Sequence, residues 1–117
     1  ALDCRLLTLV RLMKSHNLPM EQLESKAGDA SSLLKALSNK SRLLILCNLV
    51  SGEKNVGELN ERIPLSQSAL SQHLARLRRD RLVSVRKEAQ TVYYRISSPE
   101  AEQVIEVLYN VYCRVDD

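Results

Sequence analysis

The chain has 117 residues, 44% of them hydrophobic and 26% charged, with a formal net charge of +3. That length and mix fit a single globular domain, small enough that a partner subunit would add stability. No apolar run approaches the roughly 20 residues needed to span a bilayer, so a membrane protein is excluded and a soluble one expected.

Residues 66–95 hold seven basic and two acidic side chains, whereas 98–117 hold one and five. The positive charge is therefore concentrated on one segment. The cysteines, Cys4, Cys47 and Cys113, are three in number and form no Cys-x-x-Cys pair. An odd count without a secretory signal suits a reducing cytoplasm. The N-terminal LLTLVRLM is too short for a signal peptide and lacks a small-residue cleavage site.

Residues 1–19 carry Leu2, Leu6, Leu9 and Met13 at helical spacing and stop at Pro19. They read as an N-terminal extension, either native or partly added, ahead of a domain over 20–117. From Met20 the positions Leu23, Ala27, Ala30, Leu34 and Leu37 recur at steps of three and four, which predicts a first body helix. Ser38-Asn39 offers a cap for a second, with the stripe Leu43, Cys47 and Val50, closed by Ser51-Gly52. Asn55 with Glu58 has the form of a capping box and opens a short third helix through Leu59 and Ile63, ended by Pro64.

Ser66 is placed to cap a fourth helix whose stripe is Leu70, Leu74 and Leu77. Beyond Arg81 the period changes to two. Val83 and Val85, a turn at KEAQ, then Val92, Tyr94 and Ile96 predict a β-hairpin with a basic tip. Ser98-Pro99 starts a last helix with the stripe Ala101, Ile105, Leu108 and Tyr112, its early Glu100 and Glu102 near the positive end of the dipole.

Val56–Ile63, Pro64-Leu65 and Ser66–Asp80 supply the parts of a helix-turn-helix in order. The outward face of the second helix begins with Gln67, Ser68, Ser71 and Gln72, short or amide side chains suited to base edges. It continues with Arg76 and Arg79, suited to phosphates. His73 lies beside them as a base contact, a phosphate donor or a plain surface residue. Arg86 and Lys87 flank the hairpin tip, where a wing reaches a neighbouring phosphate or the minor groove; the alternative is a solvated turn. Together these predict a mainly α fold with a small β-hairpin, a winged helix-turn-helix.

LLKALSNKSRLLIL, VGEL, LSQSALSQHLARLRRDRLV and VRKEAQTVYYRI, within residues 32–113, resemble the ArsR/SmtB family of transcriptional regulators. Among its branches the chain is most similar to the thiol-sensing group of HlyU, BigR and SqrR. The resemblance implies a homodimer through the first and last body helices, binding a double-stranded operator with an inverted repeat. The family's metal sites do not carry over. The third helix reads NVGELNE without thiols, and PEAEQVIEVLYNVYC contains no His, so neither metal nor cofactor is expected.

Cys47 and Cys113 stand where the thiol-sensing branch carries paired cysteines. Resemblance thus implies that reactive sulfur species or oxidants cross-link them and change operator affinity. Read from its stripe alone, Cys47 is in the first place a core cysteine, and Cys4 is incidental. The branch contains repressors and also activators that displace a silencer, so a repressor is expected with the activator as alternative, and a regulator without a thiol switch as the nearest rival. A winged helix that mediates protein contacts is a further alternative. An enzyme is not expected: only His16 and His73 could serve as bases, and three glycines form no Gly-rich loop.

Overall fold

The computed structural model describes residues 18–113. The helix expected over Leu2–Met13, Cys4 and His16 lie outside the described residues. The chain divides into two compact units, residues 1–32 and 33–117. The described part of the first is its stretch of α1 (Met20–Leu37) with Leu18 and Pro19 before it, and all of these residues are exposed.

The second unit carries the end of α1, then α2 (Lys40–Leu49), β1 (Lys54–Asn55), α3 (Val56–Arg62), α4 (Gln67–Arg79), β2 (Val83–Glu88), β3 (Thr91–Ile96) and α5 (Pro99–Tyr112). The strands form one antiparallel sheet in the order β1-β3-β2. This is a winged helix-turn-helix, with a third strand, β1, that the period-two pattern did not reveal. Two residues are too few to display an alternation.

Four side-chain caps set the helix starts. Asn39 accepts from the Arg42 amide at 3.0 Å, Ser66 from Ala69 at 3.1 Å and Ser98 from Ala101 at 3.1 Å. Asn55 and Glu58 make the reciprocal capping box. Each satisfies a backbone N–H that has no partner within its own helix.

The core is built from α2, α3, α4 and α5, with Leu59, Leu70, Leu74, Leu77 and Ile105 fully buried. The stripe expected on α2 is displaced. Ile45, Leu46 and Leu49 are its buried apolar residues, Leu43 and Cys47 are half-buried, and Val50 is exposed. The true face is the i, i+3, i+4, i+7 set that begins at Arg42, a charged residue that a search for apolar positions passes over.

Two other stripes are only partly covered. On α1, Ala36 and Leu37 are buried while Leu34 is 57% exposed. On α5, Ala101 and Ile105 are buried, Leu108 is half-buried and Tyr112 is 80% exposed. The turn of the hairpin is also narrower than expected. Lys87 and Glu88 are strand residues, and only Ala89-Gln90 connects the strands.

Candidate nucleic-acid interface

The helix pair α3–α4 is fixed at its turn by a side chain. The Asn60 amide donates to the Leu65 carbonyl at 2.7 Å, while the Leu65 N–H donates to Ile63 across Pro64 at 2.8 Å. With Leu59 and Ile63 on one helix packed in the same core as Leu70 and Leu74 on the other, the angle between the helices is held from both ends.

Burying Leu70, Leu74 and Leu77 leaves Gln67, Ser68, Ser71 and Gln72 exposed on the first turns of α4. These four side chains stand together at spacings of one, four and five, as one face of a helix requires. His73 and Arg76 are half-buried at the margin of that face, and Arg79 is exposed beyond it. Arg76 is partly engaged, with its Nε 3.6 Å from the Asp80 carboxylate. Arg76, Arg78 and Arg79 also sit in the last turn, where cations complement the helix dipole.

The end of α4 is a Schellman motif. Leu82 N–H donates to Leu77 at 2.9 Å and Arg81 N–H to Arg78 at 3.0 Å, with Arg81 at φ 63°. The paired apolar residues of the motif, Leu77 and Leu82, are both buried. This turn aims the chain from α4 directly into β2.

In the wing, Arg86 is heavily occupied. Its Nε donates to Glu53 at 3.2 Å, its Nη2 donates to the same carboxylate, its Nη1 donates to Glu88 at 2.8 Å, and its Cζ lies 4.6 Å from the Tyr93 ring centroid. The guanidinium holds the Glu53 carboxyl below the usual carboxylate range, and the two carboxylates raise the Arg86 pKa further. Lys87, the neighbouring residue, is exposed and makes no ion pair among the described residues.

The two thiols lie on packed helices, Cys47 on α2 and Cys113 at the C-cap of α5. Cys47 is half-buried and Cys113 exposed, and both are free. Burial, and to a smaller extent the neighbouring Cys113, push the Cys47 thiol up from its ordinary range. Among the described residues no group of three or more His, Cys, Asp or Glu side chains is gathered in the manner of a metal site. Nor is any described helix long and apolar enough to cross a membrane.

One residue important to this arrangement escaped the sequence reading. Arg42 is 6% exposed and donates through Nε to the Ala36 carbonyl at 2.6 Å and through Nη2 to Lys35 at 3.4 Å. It closes the C-terminus of α1 and lies close enough to Arg76 and Asp80 to feel both charges. The signal was present in its position, three and four residues before Ile45 and Leu46.

A capped reading helix behind a side-chain-locked turn, followed at once by a two-stranded wing, defines a winged helix-turn-helix of the DNA-binding type. The profile described as bacterial regulatory protein, arsR family, matches residues 39–85. The transcriptional activator HlyU of Vibrio cholerae is 51% identical over 104 residues, covering 89% of this chain and 96% of that one. The biofilm growth-associated repressor of Xylella fastidiosa is 36% identical over 108 residues, covering 90% and 95%. The solved structure of reduced HlyU from Vibrio cholerae superposes with a TM-score of 0.77 at 55% identity, over 80% of this chain and 99% of that one.

The chain belongs to the arsR family of bacterial regulatory proteins. It is a transcriptional regulator of the HlyU and BigR type, and its relatives are regulators rather than enzymes.

Proposed function

We propose that the protein binds an inverted-repeat operator as a homodimer and that cross-linking of Cys47 to Cys113 lowers its affinity. Gln67, Ser68, Ser71 and Gln72 meet base edges in the major groove, with His73 at their margin, while Arg76 and Arg79 meet phosphates and the wing tip at Arg86-Lys87 approaches the flanking backbone. The exposed apolar residues of α5, Val107, Val111 and Tyr112, support a dimer through that helix.

The observation that carries the switch is the placement of the two free thiols on helices that pack against each other, Cys47 on α2 and Cys113 at the end of α5. Oxidation to a disulfide passes two electrons and two protons to the oxidant. With an organic trisulfide the two thiols in turn displace its two terminal thiolates, so both outer S–S bonds break, the central sulfur stays as a Cys47–S–Cys113 bridge, and two organic thiols leave carrying the protons. Either product ties α2, which underlies the reading pair, to the helix of the dimer face. A small rotation at that junction misplaces both reading helices on half-sites about 10 bp apart. The similar proteins include an activator and a repressor by name; here release of DNA on oxidation relieves repression where the operator overlaps a promoter, and ends activation where binding displaces a silencer.

Operator affinity of the reduced protein, of the protein treated with organic polysulfide and of the protein treated with peroxide tests this, with mass spectrometry of the two cysteines. A cross-linked species whose binding is weaker by about tenfold, or 1.4 kcal/mol, supports the switch. Equal affinity in every state makes both cysteines structural and leaves constitutive DNA binding as the function.

A further inference from the structure

The alternation of the wing strands assigns opposite duties to two adjacent cations. In an antiparallel pair, residues directly opposite share a face, and successive residues change face. Val83 pairs with Ile96, Val85 with Tyr94 and Lys87 with Val92. Val83, Tyr94 and Ile96 belong to the core, so Lys87 emerges on the face of the sheet that packs toward the helices, just past the edge of that core. Because β2 packs against α4, this is also the side of the reading helix.

Arg86 is on the other face, opposite Tyr93. There its guanidinium lies over the Tyr93 ring, bridged to Glu88 two residues along its own strand and to Glu53 in the α2–β1 connection. Three of its nitrogens donate to carboxylates in this way, and the guanidinium plane is covered on one side by the ring. With Arg95, whose charge also acts on Glu53, the group of Glu53, Arg86 and Glu88 sums to zero, so this face offers phosphate no net attraction. Glu53 is 33 residues away in sequence, so the contact ties the wing to the loop that precedes the helix-turn-helix.

We propose that Arg86 is a positioning residue that struts the wing against Glu53, and that of the two adjacent cations at the wing tip it is Lys87 that carries the phosphate contact. Arg86 sets where the wing stands, and Lys87 is what the DNA meets. The assignment to DNA rests on the operator-binding function proposed above, whereas the strut is a property of the free protein, so the two are measured separately.

Without DNA, amide hydrogen exchange is followed over residues 86–93 in the wild type, Glu53→Gln, Arg86→Met and the double variant. Each single substitution is expected to speed exchange about threefold, the scale of one exposed ion pair, and the double no further. Unchanged exchange in both single variants overturns the strut.

With operator DNA, the dependence of affinity on salt separates the roles. Lys87→Gln is expected to make the log-log slope of a dimer shallower by about 2, one phosphate per subunit, while Glu53→Gln leaves the slope as it is. If Arg86 were instead a phosphate ligand held in reserve, Glu53→Gln would free it, tightening binding and steepening the slope; that result overturns the assignment, as does an unchanged slope for Lys87→Gln. Wild-type protein that fails to bind any operator fragment at low salt overturns the DNA half and leaves the exchange result to decide the strut.

Discussion

The Nε of Arg42 donates to the carbonyl oxygen of Ala36 at 2.6 Å, closing the end of one helix from the first turn of the next. The cation is almost fully buried without a carboxylate in direct contact among the described residues, and burial first, then repulsion from Arg76, lower its pKa, with Asp80 acting in the opposite sense. Carbonyl groups at a helix C-terminus otherwise have no partner. Arg42→Ala is expected to cost about 2 kcal/mol in urea unfolding, as a charged hydrogen bond in a buried setting does. Arg42→Lys recovers less than half of that, because an ammonium cannot reproduce the planar pair of donors.

Arg81 stands at φ 63°, the left-handed position of a Schellman motif that glycine normally fills. Arg81→Gly should raise stability by about 0.5–1 kcal/mol, the steric relief less the added freedom of the unfolded chain. Arg81→Ala keeps the β-carbon and should change stability little. A thermal melt of the three proteins distinguishes backbone strain from loss of the charge.

Gln72 and Arg79 are predicted to fail differently. Gln72→Ala removes an amide from the outward face of α4 and should cost about 1–3 kcal/mol on one base pair of each half-site, leaving the salt dependence intact. Arg79→Ala should weaken binding to all sequences alike and flatten the salt slope by about 1 per subunit. Titrations against a set of single-base operator variants at two salt concentrations separate the outcomes.

The raised pKa of Cys47 makes its thiolate scarcer than that of an ordinary thiol at any pH below it. Alkylation of Cys47 by iodoacetamide should therefore be slow at neutral pH and reach half its maximal rate above the usual thiol range. In Cys113→Ser the midpoint moves down but stays raised, since burial is the larger cause and the neighbouring thiol the smaller. A midpoint at the ordinary value in the wild type would contradict the half-buried setting of this thiol.

Tyr112 is 80% and Val107 59% exposed on the last helix. Charged replacements there should cost the folded subunit almost nothing, yet a dimer built on that face would lose a buried apolar patch to a repelling pair. Tyr112→Asp with Val107→Glu is expected to sediment as a monomer with an unchanged far-ultraviolet circular dichroism spectrum. A dimer of wild-type affinity would place the interface elsewhere.

Helix starts were legible because each carries a local chemical mark. Asn55, Ser66 and Ser98 all cap the helices that their spacing from Glu58, Leu70 and Pro99 announced. The outward face of α4 was equally open to inspection, since leucines at steps of four and three leave the other positions no choice but to face outward. What stayed hidden was long-range. Nothing within the run RKEAQTVYYR says that Arg86 reaches back to Glu53, and a two-residue strand such as Lys54-Asn55 has no period. The face of α2 was misplaced for a subtler reason, because its pattern begins at a buried arginine whose charge disguises a core position.

Asn55 belongs to two elements at once. Its backbone pairs with Tyr93 as the last residue of β1, and its side chain and amide close the capping box of α3. Asn55 thus adds a direct link between wing and helix pair to those made by the turn after α4 and by the Arg86–Glu53 pair. If the proposed cross-link between α2 and α5 acts on this unit, the wing and the reading helix should leave the duplex together, so loss of binding is expected as an all-or-none disengagement rather than a graded loosening of contacts.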